Sequence, residues 1–493
     1  MDRHDVTGVA REFVIASTLL SLAVTAAPCQ SPQPMIAERY PAAAILTTTP
    51  EAAGWSVEKL AAAKSWSQQF APTAAVMVIH HGLIVSEWGD TAIKSDLLSV
   101  RKSLLSALIG IAVDEHKLDL NATMASLGID DNAPALTPAE KTATVGDLLK
   151  ARSGIYHSAL YEDPAAAKQR PPRGSHLPGT FWYYNNWDFN ALGTIYERAT
   201  GEAIFTAFEN RIARPIGMQD YQPNDGKYVR GSASDHPAYP IRMSTRDLAR
   251  FALLYLREGS WNGRQIVPSA WVRESTLSYS QTLPEFGPGL GPGYGYLWWI
   301  GFPNDVSLGV PMVNVPARSF AAVGAQGQFA LVIPAHDLII VHRINTDVPI
   351  GSLPGQRKPV PSTRQMARLI WLLLSAAGVG DVGPDASLAH ATGKHLEGEA
   401  LKTALAGTTL VIGGRLAGGA RVWQLSADGH LSILIGAERR ELRKGTWRVD
   451  GDHFCRTLIG TSVQDSCLSV VVKDDGFQFF DANGLMEFDA KTE

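Results

Sequence analysis

The sequence predicts a mixed α/β protein of the α+β kind: an antiparallel sheet flanked by helices with a helical subdomain, then a small all-β C-terminal domain. Three observations predict this fold. A strand–turn–strand pattern occupies residues 74–88, and two further strands return only at residues 329–341, with helix-like segments between them. From residue 428 onward, turn dipeptides recur between short β-rich runs. The length of 493 residues exceeds the usual size of one domain, so two are expected.

Apolar periodicity and turn residues predict the elements of the first domain. In order, they are a helix at 57–70, strands at 74–79 and 83–88, helices at 97–113, 145–151, 187–200 and 244–257, strands at 329–333 and 338–341, and a helix at 364–377. A hairpin at the start and strands at the end predict an antiparallel sheet whose edges come from both ends of this region.

A serine and a lysine three positions apart, Ser99 and Lys102, open the most apolar of these helical runs. From Leu104 onward, apolar residues fall on nearly every face, which is typical of a helix buried in the centre of a domain. Residues at i and i+3 share one helix face, so Lys102 is expected beside the Ser99 hydroxyl. A buried lysine that loses its proton can activate a serine, so the pair predicts acyl-transfer chemistry.

The same Ser-x-x-Lys pattern occurs a second time, at Ser56 and Lys59. A half-polar, alanine-rich helix follows this copy. We interpret it as an ordinary helix start with Ser56 as the N-cap.

An aromatic segment at residues 178–186, Pro-Gly-Thr-Phe-Trp-Tyr-Tyr-Asn-Asn, precedes the helix at 187–200. A tyrosine near a lysine can serve as a phenolate base or a proton shuttle, and an amide can hold both the lysine and the substrate. Two Tyr-x-Asn registers exist, one starting at Tyr183 and one at Tyr184. For an isolated Tyr-x-Asn, an aromatic loop that packs on the core is the alternative.

These residues together resemble the serine β-lactamase and penicillin-binding-protein superfamily. The similar branch contains class C β-lactamases, related esterases, D-amino-acid peptidases and 6-aminohexanoate-dimer hydrolases. Its phrase Pro-Gly-x-x-Trp-x-Tyr-x-Asn fits Trp182, Tyr184 and Asn186, which selects the register at Tyr184. Further similar phrases lie at residues 148–154, 242–250 and 294–299. The resemblance covers roughly residues 50–376 and implies a β-lactamase/transpeptidase-like sheet with catalytic Ser99, Lys102, Tyr184 and Asn186.

The third motif of this superfamily, Lys-Thr-Gly or His-x-Gly in many members, is altered here. His80-His81-Gly82 precedes the serine and is interpreted as a hairpin turn, so the best match is Ala322-Val323-Gly324. By resemblance, the backbone N–H groups of Ser99 and Ala325 form an oxyanion hole. The cation that many relatives place beside a substrate carboxylate is missing, which favours esterases and short-amide hydrolases over β-lactamases.

Three positions are expected to contact the substrate. Gly324 permits close approach to the backbone. Gln328 ends a phrase similar to the Gly-x-x-Gly-Gln of the esterase branch. Tyr156 follows the Ser153-Gly154 phrase, where this branch often places substrate contacts.

The predicted function is a serine hydrolase that cleaves an ester or a small amide through a Ser-Lys-Tyr acyl-enzyme. One alternative is a β-lactamase or a D-amino-acid peptidase related to penicillin-binding proteins. An alternative of another class is a binding or sensor protein without turnover. The small-molecule ester or amide is the expected partner.

The N-terminus resembles a secretory signal, with a polar start, an apolar run at residues 13–23 and an A-x-A-like site before residue 28. We therefore expect a periplasmic or secreted protein without an integral membrane segment after processing. Pro28 disfavours a lipid-modified Cys29. The expected domains are a signal peptide at 1–27, a linker at 28–50, the hydrolase domain at 51–377, a linker at 378–398, and a β-barrel or sandwich at 399–493.

Composition and cysteines limit the remaining functions. Hydrophobic residues make up 45% and charged residues 19%, and the net charge of −4 gives no argument for nucleic acid or an anionic membrane. Neither zinc-type ligand spacing nor Cys-x-x-Cys occurs, so no metal and no cofactor are expected. Cys455 and Cys467 either form a disulfide across a hairpin, consistent with an oxidising compartment, or are two buried thiols. Oligomeric state stays open.

Overall fold

The computed structural model describes residues 40–41, 44–69, 73–162, 167–282, 293–301, 313, 315–348, 361, 363–380, 385, 387–412, 421–435, 438–459, 466–482 and 484–493. They belong to one compact unit, Glu38–Glu493. The expected signal peptide and the first part of the linker that follows it lie outside the described residues. No helix in the described ranges is long and apolar enough to cross a membrane.

The helices of the described ranges are α1 (Val57–Ser67), α2 (Arg101–Asp114), α3 (Val145–Leu149), α4 (Asn186–Thr200), α5 (Ile204–Phe208), α6 (Thr245–Leu256), α7 (Ser269–Ser275), α8 (Thr363–Ala377) and α9 (Gly398–Leu405). Six of them, α1–α4, α6 and α8, lie close to the positions that the apolar periodicity predicts, whereas α5, α7 and α9 were not predicted.

The strands of the described ranges fall into a central sheet, a C-terminal barrel and three short two-stranded pairs. They are β1 (Thr73–His80), β2 (Leu83–Gly89), β3 (Ser95–Asp96), β4 (Val229–Gly231), β5 (Ser234–Ala238), β6 (Arg242–Met243), β7 (Ser260–Trp261), β8 (Arg264–Gln265), β9 (Gly293–Tyr294), β10 (Trp299–Ile300), β11 (Phe320–Gly324), β12 (Gln328–Ile333), β13 (Leu338–Ile344), β14 (Lys394–His395), β15 (Thr409–Ile412), β16 (Arg421–Leu425), β17 (His430–Ile435), β18 (Arg440–Asp450), β19 (His453–Leu458), β20 (Ser466–Lys473), β21 (Gly476–Phe480) and β22 (Met486–Thr492).

The central antiparallel sheet has the strand order β2-β1-β13-β12-β11-β10-β9. The N-terminal hairpin supplies one edge, as expected. The expectation that the strands near residue 340 supply the other edge is wrong, because β13 lies between β1 and β12 and the second edge is β9. Every residue of β13 is buried, and such a strand is stabilised by neighbours on both sides.

Helix α2 is buried in the centre of the hydrolase region, as its apolar faces predict. All residues from Arg101 to Gly110 are buried, and the helix packs against α4, α5 and α7. A Cβ on Gly110 would lie 2.2 Å from the Trp271 ring, so the glycine permits the close approach of α7. The residues that begin α2 are therefore held by the core on several sides.

The C-terminal domain is an antiparallel barrel. Eight strands pair in the order β20-β19-β18-β17-β16-β15-β22-β21, and the pairing of β20 with β21 closes the circle. Its aromatic core includes Trp423, Phe454 and Phe479, and α9 contributes Leu401 and Leu405. Cys455 and Cys467 are directly opposed on β19 and β20 and are joined by a disulfide. The barrel alternative to a sandwich is therefore the one observed.

Candidate active site

Ser99 lies on a tight turn between β3 and α2. Residues Leu98–Val100 form one 3-10 turn, and Arg101 begins the α-helix. Leu98, just before the serine, has a φ of 49°, in the left-handed region that non-glycine residues rarely adopt. The Leu98 N–H donates to Asp96 Oδ1 at 2.7 Å, so a side chain holds this peptide. The nucleophile candidate therefore lies on a strained turn that opens a buried helix.

Lys102 joins the predicted catalytic residues. Its Nζ lies 2.8 Å from Ser99 Oγ, 2.7 Å from the Tyr184 hydroxyl and 2.9 Å from Asn186 Oδ1. Lys102 is 2% exposed, and burial, together with the neighbouring Arg101 charge, lowers its pKa well below the ordinary value. A neutral amine has two N–H donors and one lone pair. Asn186 Oδ1 can only accept, so the lone pair remains for a hydroxyl proton from Ser99 or Tyr184.

Tyr184 is held as a protonated phenol. Burial raises its pKa to about 12, although a hydrogen bond with Ser99 acts in the opposite direction. Its ring stacks on Trp299 with 5.4 Å between centroids. Lys102 Nζ lies 4.3 Å from the Tyr184 ring centroid and 4.5 Å from that of Phe189. Of the two roles predicted for the tyrosine, these facts favour the proton shuttle over the phenolate base.

The segment that carries Tyr184 and Asn186 is anchored at the start of α4. Asn185 is the N-cap, and its side-chain oxygen accepts from Trp187 N. Its Nδ2 donates to Ile155 O at 2.6 Å and to Asp188 Oδ1 at 2.8 Å. The second Asn of the Asn-Asn pair is thereby left to contact Lys102. Tyr184 and Asn186, the two residues of the register that starts at Tyr184, therefore both contact Lys102.

The end of β11 lies against the nucleophile turn. A Cβ on Gly324 would be 2.6 Å from Leu97 O and 3.1 Å from Ser99 N. Ala325 follows Gly324, is exposed, and begins a 3-10 turn in which Gln326 has a φ of 64°. The two backbone segments expected to supply oxyanion donors are therefore in contact.

Gln328 lies in the interior, so the structure does not support its expected substrate contact. Its side chain is fully buried, its Nε2 donates to Ile344 O at 3.1 Å, and its Oε1 accepts from Arg343 Nε at 2.5 Å. Both ends of the amide are satisfied within the protein. The physical reason is that every residue of β12 is buried and that β13 supplies both hydrogen-bond partners of the Gln328 amide.

Tyr156 is buried beside the segment that carries Tyr184. Its hydroxyl lies 3.0 Å from His176 Nδ1, and its ring packs edge-on to Tyr183. Burial raises the pKa of this tyrosine, so it carries its proton. Tyr156 therefore supports the aromatic segment through Tyr183.

The sequence interpretation did not single out two buried ionisable residues beside the candidate site, Arg101 and Asp188. Arg101 lies between the two residues of the Ser-x-x-Lys motif, and Asp188 lies two positions after Asn186. Asp188 is fully buried, and burial raises its pKa well above the ordinary value. A charged residue inside a run predicted to be buried was the available signal. In the described ranges, no group of three or more His, Cys, Asp or Glu residues could hold a metal ion.

Comparison with known protein families identifies the class of protein to which this chain belongs. Residues 56–365 match the Beta-lactamase family, which is more than half of the chain. The chain therefore belongs to the Beta-lactamase family, and the resemblance to the serine β-lactamase and penicillin-binding-protein superfamily is confirmed. The predicted fold class, a mixed helix-and-sheet domain followed by a C-terminal β-domain, is also confirmed.

Individual relatives are distant. An uncharacterized protein of Alkalihalophilus pseudofirmus is 23% identical over 303 residues, which cover 55% of this chain and 84% of the relative. A β-lactamase from Mycobacterium bovis is similar with a TM-score of 0.45 and 22% identity, over 64% of this chain and 100% of that one. A putative 6-aminohexanoate-dimer hydrolase from Bacillus anthracis has a TM-score of 0.45 and 21% identity, over 64% of this chain and 85% of the other.

Proposed function

We propose that this protein is a serine hydrolase that cleaves an ester or a small amide through an acyl-enzyme on Ser99. One observation carries the proposal: Lys102 Nζ lies within 2.7–2.9 Å of the Ser99 hydroxyl, the Tyr184 hydroxyl and the Asn186 carbonyl oxygen. This arrangement joins a nucleophile, a base of lowered pKa, a proton-carrying phenol and an orienting amide.

Acylation begins when Ser99 Oγ attacks the substrate carbonyl carbon. The hydroxyl proton passes to the lone pair of neutral Lys102, and the carbonyl oxygen becomes an oxyanion between the N–H groups of Ser99 and Ala325. The bond from the carbonyl carbon to the leaving group then breaks. Tyr184 donates its proton to the leaving oxygen or nitrogen and recovers one from Lys102.

Deacylation reverses the roles of the same groups. A water attacks the acyl carbon and loses a proton to the Tyr184–Lys102 pair. The bond from the acyl carbon to Ser99 Oγ breaks, Ser99 recovers its proton, and the carboxylic acid leaves. Asn186 keeps Lys102 oriented throughout, because its oxygen accepts one amine N–H at 2.9 Å.

The altered third motif, at residues 322–324, favours an ester or a small amide as the substrate. Residues 322–324 are Ala-Val-Gly and supply backbone and apolar surface where many relatives carry a cation. In this proposal the backbone of Gly324 lies close to the substrate. Tyr156 shapes the pocket indirectly, through Tyr183, and Gln328 makes no substrate contact. An uncharged acyl group suits such a site better than a carboxylate.

Export and the domain division also belong to the proposal. A signal peptide at 1–27 would deliver the chain to the periplasm or the exterior. The disulfide between Cys455 and Cys467 supports an oxidising compartment, where such bonds persist. Hydrolysis is assigned to the domain at 51–377, since the candidate catalytic residues lie there.

The test is Ser99→Ala against the matched control Ser56→Ala, which removes the serine of the second Ser-x-x-Lys copy. Ser99→Ala should abolish hydrolysis of p-nitrophenyl butyrate and labelling by an alkyl fluorophosphonate. Ser56→Ala should keep both and lose only about 1 kcal/mol of stability, the usual value of an N-cap. Turnover by Ser99→Ala at the wild-type rate would refute the nucleophile.

Substrate class is tested by comparing kcat/KM for p-nitrophenyl butyrate, a short p-nitroanilide and a chromogenic cephalosporin. Faster turnover of the ester or the anilide supports the proposal. Faster turnover of the cephalosporin would instead identify β-lactam hydrolysis as the activity of this protein. A stable stoichiometric acyl adduct without product release, detected by mass spectrometry, would identify a binding or sensor protein.

A further inference from the structure

Arg101 is a buried arginine without a carboxylate partner. It is 1% exposed, and Nε and Nη2 have no hydrogen-bond partner. No carboxylate of the described residues lies within ion-pair distance of its guanidinium. Its faces are covered by two rings, with Cζ 5.4 Å from the Tyr161 centroid and 4.9 Å from the Tyr239 centroid. A guanidinium in such a place costs free energy, which points to a role other than stability.

The hydrogen bond that Arg101 does make holds the strained peptide before the nucleophile. Nη1 donates to Leu98 O at 3.0 Å, and Asp96 Oδ1 accepts from Leu98 N at 2.7 Å. Asp96 is itself fixed, because its Oδ2 accepts from the Tyr161 hydroxyl at 2.7 Å. Both polar groups of Leu98, whose φ is 49°, are therefore held by side chains. Such support is what a left-handed leucine requires to persist.

Arg101 also acts on its neighbour Lys102 through its charge. Burial lowers the pKa of Lys102, and the positive charge of Arg101 lowers it further. A like charge nearby disfavours protonation, and low surrounding polarity strengthens this repulsion.

The other titratable groups around Lys102 do not offset this charge. Burial raises the pKa of Tyr184, of Tyr239 and of Tyr294, so these phenols are neutral. Burial also raises the pKa of Asp188, which disfavours its charged form, and Arg101 is the neighbouring charge that acts on the pKa of Lys102.

We propose that Arg101 is a positioning residue of the Ser99–Lys102 pair: it holds the Leu98 peptide in place and keeps Lys102 in its unprotonated, basic form. This inference rests on the proposed function, since it assigns the origin of the base that function requires. Holding Leu98 fixes the direction of the next N–H, that of Ser99, which is one of the proposed oxyanion donors.

The test uses Arg101→Met, which removes the charge and the hydrogen bond, and Arg101→Lys, which keeps the charge and loses the planar guanidinium. Arg214→Met, at an exposed arginine, is the control. The rate of Ser99 labelling by an alkyl fluorophosphonate is measured between pH 5 and 10. This measurement can be made without knowing the substrate. Peptide mass spectrometry confirms the labelled residue, and circular dichroism confirms folding.

Arg101→Met should move the acidic limb of the rate profile to higher pH by about one unit and lower the maximal rate about tenfold. Arg101→Lys should keep the limb at the wild-type pH but lose part of the maximal rate. Arg214→Met should match the wild type in both.

Two results would overturn the inference. In one, folded Arg101→Met keeps the wild-type limb and rate. In the other, Arg101→Lys matches the wild type in the pH of the acidic limb and in the maximal rate. This second result is informative even if Arg101→Met does not fold. A wild-type protein that is not labelled at any pH would instead overturn the proposed function, and this inference with it.

Discussion

Gly324 touches the backbone of Ser99: a Cβ added to Gly324 would lie 3.1 Å from Ser99 N and 2.6 Å from Leu97 O. Strand β11 and the nucleophile turn approach each other this closely because position 324 has no side chain. The contact brings the Ala325 end of the strand beside the proposed oxyanion donor of Ser99. In the proposed function, the geometry of acylation would therefore depend on Gly324, although this glycine has no side chain to take part in the reaction.

Gly324→Ala should separate β11 from the nucleophile turn. The methyl group meets backbone atoms, which cannot rotate away, so the Ala325 N–H shifts from its position. We expect kcat/KM for p-nitrophenyl butyrate to fall about 100-fold, the scale of losing one oxyanion donor. The control is Gly231→Ala, whose added Cβ meets only a side-chain atom of Leu160 at 3.1 Å. Unchanged kcat/KM in Gly324→Ala would show that this strand end is not part of the site.

Asp188 connects the segment of Tyr184 and Asn186 to the neighbouring loop. Its Oδ1 accepts from Ser153 Oγ at 2.5 Å and from Asn185 Nδ2 at 2.8 Å, and Oδ2 has no partner. Burial raises its pKa well above the ordinary value, which disfavours the carboxylate form, so we expect the neutral acid to suffice at this position.

Asp188→Asn should therefore keep activity within about threefold, because an amide oxygen can accept the same two hydrogen bonds. Asp188→Ala should lower kcat about tenfold, with a smaller effect on KM, and destabilise the fold by about 2 kcal/mol, since buried donors lose their acceptor. Steady-state kinetics and urea unfolding measure these changes, with the exposed Asp114→Ala as the control. Equal damage in Asp188→Asn and Asp188→Ala would show that the negative charge is required.

His342 should make the fold sensitive to mild acid. It is fully buried, its Nδ1 lies 2.6 Å from Gly327 O in the turn after Gly324, and burial lowers its pKa to about 4. The unfolded chain has a histidine pKa near 6.5, so between pH 6.5 and 4 the unfolded state binds more protons. Its contribution to stability is therefore complete above pH 6.5 and decreases as the pH falls through this window.

The expected change for His342 is a loss of about 2 kcal/mol in unfolding free energy between pH 7 and pH 5. His342→Gln should reduce the wild-type difference between these two pH values by about that amount, as measured by urea unfolding followed by tryptophan fluorescence. His80, whose pKa burial also lowers to about 4, remains in the variant and keeps part of the pH dependence. An identical difference in wild type and variant would refute the assignment to His342.

The local elements were predictable from the sequence because they depend on neighbours along the chain. The first hairpin, α2 and α8 lie within a few residues of the positions that apolar periodicity and turn residues predict. Strand order was not predictable in the same way. The pairing of β12 with β13 is a local hairpin, but the pairing of β13 with β1 joins segments hundreds of residues apart, and no local pattern encodes it.

The features of the candidate site likewise separate into those that local sequence predicts and those that depend on long-range packing. The residue types and spacing of Ser99 and Lys102, with the Tyr184 phrase, are sufficient to propose a nucleophile, a base and a proton shuttle. They do not place Gln328, since its burial depends on the packing of β12 against β13, where Arg343 and Ile344 bind its amide. Nor do they show that Arg101 is without a carboxylate, because that depends on every element packed around it.

By itself, then, the sequence determined the fold class, the family and the order of the candidate catalytic motifs, because period and spacing are local properties of the chain. Only the tertiary structure decided that Lys102 meets Ser99, Tyr184 and Asn186 at once, and that Gly324 closes against the nucleophile turn. It also decided that Arg101 and Asp188 lie buried around them. Distances and burial arise from long-range packing, and they set the protonation states on which the proposed chemistry depends.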